Sequence, residues 1–316
     1  MSVVSGCSAR SPRCAWVAAV CAAVLLACGP PGGAAPQQQI SQGGSVDADA
    51  EIEIYNVAGS ILVTGWDRDE VRVSGTLGEG TDRLEFENDG SQVEITVVVE
   101  RQRRRNPERR VGESHLEIMV PRNATLDIEA MASSITVTEV GGAVRMQTSA
   151  GHITFTGDSA EIEADNSAGD IEVSTTSNVA EIDAENMAGN VFVQVGGGDV
   201  SANTVTGSVR VVGGTLREGD FESTSGTIYF EGAIAGDGEL DFTNFNGNID
   251  LLIPEGTAAS FDITTYAGSI ETEFGFQGQR VEQFSPEQEA EFTLGDGADA
   301  SVSIEAFGGS VTIRKQ

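Results

Sequence analysis

Along most of the chain, apolar and polar residues alternate in short bursts, and the bursts recur around a glycine. Aligned on that glycine, the copies are NVAGSILV (56–63), TSAGHITF (148–155), NSAGDIEV (166–173), NMAGNVFV (186–193), TVTGSVRV (204–211), STSGTIYF (223–230), NFNGNIDL (244–251), TYAGSIET (265–272) and AFGGSVTI (306–313). AMASSITV (130–137) is a tenth, with Ser133 in the glycine's place. From Ser133 to Gly268 the anchors lie 18, 18, 20, 18, 19, 21 and 21 residues apart, the period of a solenoid. Positions two and four after the anchor, and five and seven before it, are apolar in 38 of 40 cases. Each copy therefore predicts two short strands, one face inward, joined at a glycine turn.

The second residue after the anchor is β-branched in every copy, from Ile61 through Ile171 to Val311, which suits a pleated surface packed on identical neighbours. Three residues before it stand Asn56, Thr148, Asn166, Asn186, Thr204, Ser223, Asn244 and Thr265, side chains that hydrogen-bond along a stack and accommodate a turn. A repeat this short cannot bury its apolar face alone, so the copies stack, one rung per ~4.8 Å. The expectation is an all-β protein: a single-stranded parallel β-helix, or solenoid, with 18–21 residues per coil. An antiparallel sandwich would not demand the same turn chemistry at constant spacing.

Two intervals break the period. Between Gly59 and Ser133, the alternating segments 71–74, 84–87, 93–99 and 116–120 predict a strand-rich N-terminal cap. Between Gly268 and Gly309 lie 41 residues, about two coils, with 276–288 as an inserted loop. The boundaries expected are a signal peptide at 1–27, a flexible tether at 28–45, a cap with the first coil at 46–125, and repeats over 126–316 continuous with the cap.

The N-terminus changes the picture from fold to compartment. Arg10 and Arg13 precede an uncharged apolar run from Ala15 to Ala27, the pattern of an export signal, too short to span a bilayer comfortably. Leu25-Leu26-Ala27-Cys28 resembles the bacterial lipobox, in which the cysteine is acylated and the signal cut before it. Gly29 rather than an aspartate follows, which by resemblance to Gram-negative lipoproteins implies the outer membrane. Cys7, Cys14, Cys21 and Cys28 are the only cysteines, so the rest of the chain forms no internal disulfide.

Charge excludes one class of partner. Without residues 1–27 the chain carries 16 basic against 49 acidic residues, so nucleic acid is not expected. The series of small-Gly-polar-Ile/Val-x-apolar copies, preceded by Leu116-Glu-Ile-Met-Val-Pro-Arg-Asn123 and Leu126-Asp-Ile128, resembles a bacterial family of domains of unknown function that carries an adhesin label. The likeness runs over about 46–316. The resemblance implies an adhesin-like module; together with the lipobox and the lack of any catalytic motif, the expectation is a non-catalytic envelope lipoprotein, a binding or scaffold module whose partners are the membrane, through its lipid, and an envelope protein or glycan.

Candidate chemistry is sparse. Stacking sets Glu161 over Glu181, Glu163 over Asp183 and Asp165 over Glu185, and unit charges ~4.8 Å apart repel by roughly 1 kcal/mol even at a water-like dielectric. Solvation and salt relieve this, or else Glu163, Asp165, Asp183 and Glu185 hold Ca²⁺ weakly, since hard oxygens suit that ion; no other cofactor is expected. Arg101, Arg103, Arg104, Arg105, Arg109 and Arg110 cluster between two apolar segments, a solubilising loop or a contact for anions. His152 takes the turn position equivalent to Asp170 and Asn190, and His115 begins a strand; neither reads as a catalytic base. Parallel β-helices include carbohydrate lyases and hydrolases, so the rival readings are such an enzyme and a structural or stress-linked envelope factor.

Overall fold

A computed structural model describes residues 38–99, 111–178, 180–274, 288–295 and 299–316. Every element of regular structure among them is a β-strand. Alternation in the sequence becomes alternation in space: along Glu161–Asn166, Ile162, Ala164 and Asn166 are buried while Glu161 faces out.

The strands before and after each anchor form two parallel ladders. In the first, Ile162 lies opposite Val144 on one side and Ile182 on the other. In the second, Ile171 lies opposite Ile153 and Val191. Residues of like position thus meet rung after rung, and the inward side chains of both ladders form one hydrophobic cluster. The result is an all-β, β-helix-like stack. Gly219, one of two exceptions to the apolar inward pattern, sits where an added Cβ would meet Leu240 Cδ2 and Phe221 Cε2, each at 2.7 Å. The rings of Phe221, Phe230 and Phe242, with centroids 4.9–5.9 Å apart, fill that layer instead.

Turn chemistry explains the glycine. At Gly189 φ is +145°, and a Cβ there would stand 2.0 Å from the carbonyl oxygen of Gly169 on the rung beneath. Only a residue without a Cβ tolerates both the dihedral and the approach. The polar residue three places earlier completes the link. Asn166 Nδ2 donates to Gly151 O at 2.8 Å, Asn186 Nδ2 to Gly169 O at 2.7 Å and Thr204 Oγ1 to Gly189 O at 3.0 Å. All of these side chains are buried, so the ladder satisfies polar groups that water does not reach. Ser133 replaces the glycine in the continuous strand Thr125–Thr138 and accepts a bond from Asn56 Nδ2 at 3.1 Å.

Both ends depart from sequential stacking. The coil Glu51–Trp66 lies between Thr125–Thr138 on one side and Gln92–Val99 with Ser114–Pro121 on the other. Antiparallel strands Thr81–Asn88 and Glu70–Leu77 flank those outer segments. The last eight residues of the expected tether are a correction: Gln38–Ser45 pairs antiparallel with Glu70–Leu77, and Ile40 packs against the core.

At the other end the described residues after Thr272 leave chain order, and the inserted loop expected at 276–288 lies, up to residue 287, outside the described residues. Gln288–Leu294 folds back antiparallel on Ala259–Thr265, and Ser301–Gly308 inserts between Glu239–Asn246 and Ala259–Thr265. The rung of Gly309 therefore precedes that of Gly268 in space, and Thr265 Oγ1 donates to Gly309 O at 3.2 Å. A reversed strand covers the ladder end with a different hydrogen-bond pattern, which blunts further parallel addition.

Candidate functional site

Outward residues of the first ladder line up carboxylates in rows. Glu161, Glu181, Asp199, Glu218 and Glu239 form one unbroken row across five rungs. A second row contains Glu163, Asp183, Asp220 and Asp241, and a third Asp165, Glu185 and Glu222. Glu163 lies beside Asp183 and Asp165 beside Glu185, as the repeat spacing implies. Arg145 bonds Glu163 at 3.2 Å, and Arg217 pairs with Asp199.

Crowding perturbs these carboxyls. Asp165 is held above the ordinary aspartate range, first by partial burial and then by Asp183, with Arg145 opposing. Burial also raises Glu185, helped by Asp183, Asp165 and Glu163. Asp220 is raised by burial and then by Glu222 and Asp241. No group of three or more potential metal ligands converges among the described residues. Glu163, Asp165, Asp183 and Glu185, expected as weak Ca²⁺ ligands, share a face without converging on one point.

A groove of about 720 Å³ runs along the stack where this face meets the turns, from Tyr55 on the rung of Gly59 to Thr224 on that of Gly226. Its floor is the buried ladder of Thr148, Asn166, Asn186 and Thr204. Glu129, Asp165, Glu185 and Glu222 stand on one side, and Met131, Met187 and Val205 on the other. That second side is absent from the sequence-based candidates. The signal was available: two residues before the anchor the chain should point outward, yet it is apolar at Val57, Met131, Met187, Val205, Phe245, Tyr266 and Phe307.

The histidines have structural partners. His152 Nδ1 accepts the Asp170 amide at 3.2 Å, and Asp170 Oδ1 in turn accepts the Asn190 amide at 2.8 Å. His115 Nδ1 lies 2.9 Å from Ser60 Oγ. Cys28 and Arg101, Arg103, Arg104, Arg105, Arg109 and Arg110 lie outside the described residues.

Solved structures similar to this chain include a proposed cell adhesion protein from Clostridium sporogenes, 12% identical, covering 88% of this chain and 100% of its own, with a TM-score of 0.24. A proposed adhesin from Bacteroides fragilis is 9% identical over 88% of this chain and 97% of its own, at 0.38. A proposed lipid binding protein from Parabacteroides distasonis is 14% identical over 88% and 96%, at 0.31. At these scores the likenesses carry no argument about what the chain binds. No curated protein matches it. A family model covers residues 50–314, from the first coil to the last strand with all ten anchors between, and the chain belongs to the Toastrack DUF4097 family.

Proposed function

We propose that this protein is a lipid-anchored, non-catalytic module of the bacterial cell envelope that binds or scaffolds through its acidic face. The observation that carries the reading is the sorting of side chains: carboxylates in three rows and an apolar row beside them, on one ladder of a rigid stack. The groove lining contains carboxylates, amides, hydroxyls and thioethers, a set suited to holding a partner. The finer architecture belongs with this reading: a single-stranded parallel β-helix of 18–21-residue coils, closed by its strand-rich cap. Rungs of this kind present the same spacing over a long surface.

Anchorage rests on Leu25-Leu26-Ala27-Cys28. Several acyl chains on Cys28 would hold the protein firmly where one would not, with the outer membrane as its destination. Radiolabelled palmitate should enter the wild type and be lost in Cys28→Ala, and the wild type should fractionate with outer membranes. Photo-crosslinking from position 185 in intact envelopes should trap a partner that crosslinking from position 172, on the other ladder, does not. Persistent labelling in Cys28→Ala, or equal trapping from both faces, overturns the reading. Depolymerisation of envelope polysaccharide by the purified protein would replace it with a β-helix carbohydrate-active enzyme.

A further inference from the structure

The exposed large apolar side chains are not scattered. Among the described residues they are Leu62, Met119, Met131, Met187, Val205, Phe245 and Tyr266, and the last five all occupy the position two residues before an anchor. Exposed apolar residues are ordinary singly and informative when aligned. On three rungs the row stands directly beside a carboxylate: Glu129 with Met131, Glu185 with Met187 and Glu305 with Phe307. Within the groove the apolar side is formed by Met131, Met187 and Val205, with Ser149 and Ser167 between Met131 and Met187 and Thr224 beyond, and the buried Asn/Thr ladder separates this side from the carboxylates.

We propose that this groove takes an extended cationic polypeptide segment lying along the stack, with basic side chains on the carboxylate side and alternate apolar side chains on the Met/Val side. The inference rests on the binding-module reading above and names its ligand class. An extended chain sends successive side chains to opposite sides, which matches two sides separated by one floor residue. The groove spans seven rungs, whose six intervals of ~4.8 Å make roughly 29 Å, the length of about nine extended residues. Partial burial already disfavours the charged forms of Asp165 and Glu185, so a cation placed there relieves a cost that solvent leaves in place.

Other ligands fit less well. An anionic lipid surface would be repelled by the carboxylate rows. A glycan would use aromatic faces, but Phe245, Phe307 and Tyr266 stack on one another beyond the groove, whose lining holds one aromatic ring, Tyr55. A short polyamine would satisfy the carboxylates and leave the apolar side uncovered.

The test uses the full-length protein in detergent and a fluorescent peptide of about nine residues alternating lysine and valine, followed by anisotropy. A block peptide of the same composition and spermidine are the comparisons. The alternating peptide should bind at least about tenfold more tightly than either, and Met187→Ser/Val205→Ser and Asp165→Asn/Glu185→Gln should each weaken it by about tenfold or more. Glu172→Gln, a charge removed from the other ladder, should leave binding unchanged, and circular dichroism should show every variant folded. Equal binding of the block peptide, equal loss in Glu172→Gln, or no binding at all overturns the proposal. A partner still trapped from position 185 in envelopes would then leave the binding-module reading standing with a different ligand.

Discussion

Asn186 reaches across a rung boundary to Gly169: its Nδ2 donates to the Gly169 carbonyl at 2.7 Å while its Oδ1 accepts the Ala188 amide at 3.1 Å. One side chain thereby joins two rungs and shapes its own turn. Asn186→Val keeps the volume close but leaves that carbonyl unpaired in a buried site, a cost of about 1–3 kcal/mol. Asn186→Thr should recover much of the loss, because Thr148 and Thr204 make the same bond on other rungs, to Ser133 O and Gly189 O. Urea unfolding of the three proteins tests this. Equal stabilities would mean that the ladder contributes nothing.

The turn glycine makes a sharper prediction. Gly189→Ala should cost more than about 3 kcal/mol, since the new methyl would collide with backbone at 2.0 Å in a strained dihedral. Gly256→Ala, where an added Cβ meets nothing within 4 Å, should be nearly neutral. Thermal melts of the pair would reveal a misplaced turn if their order reversed.

Inward and outward positions differ by one residue. Ile171 is 1% exposed between Ile153 and Val191, and Glu172 beside it faces solvent. Ile171→Asp places a carboxyl where it has no partner, at several kcal/mol, while Glu172→Lys should be tolerated. Ile304→Asp should match Ile171→Asp despite lying near the end of the chain, because Ser301–Gly308 is an interior strand of the stack. A mild effect at Ile304 would place the last coil at an edge and contradict the rung order.

The acidic rows tie stability to pH and salt. Asp165, Glu185 and Asp220 are raised in the folded state, so the native protein holds protons more tightly than the unfolded chain. Their contribution therefore opposes folding at neutral pH and fades on acidification through the range just above ordinary carboxylates. Mild acid should stabilise the protein, and Asp165→Asn/Glu185→Gln should flatten that rise. Salt should stabilise it gradually, with NaCl, MgCl₂ and CaCl₂ alike at matched ionic strength. Saturable stabilisation by Ca²⁺ that the double variant abolishes would instead make Glu163, Asp165, Asp183 and Glu185 a metal site.

Much of this protein follows from the period of its sequence. The inward pair Ile171 and Val173, the Asn166–Asn186 ladder and the carboxylate neighbours Asp165 and Glu185 are all legible because, in parallel stacking, a residue's neighbour is its own equivalent one repeat away. Local alternation and constant spacing suffice for that. Rung order at the ends is a different kind of fact. Whether Ser301–Gly308 follows Ala259–Thr265 or slips beneath it depends on which placement pairs both edges, a comparison of long-range alternatives that no local pattern encodes. Gln38–Ser45 was hidden for the same reason: an uncharged, glycine-containing segment becomes a strand only because Glu70–Leu77 offers it an edge. The groove stands between the two cases, since Met131, Met187 and Val205 are legible in the repeat, but their meaning as one side of a groove required the carboxylates and the buried floor to be brought alongside them by folding.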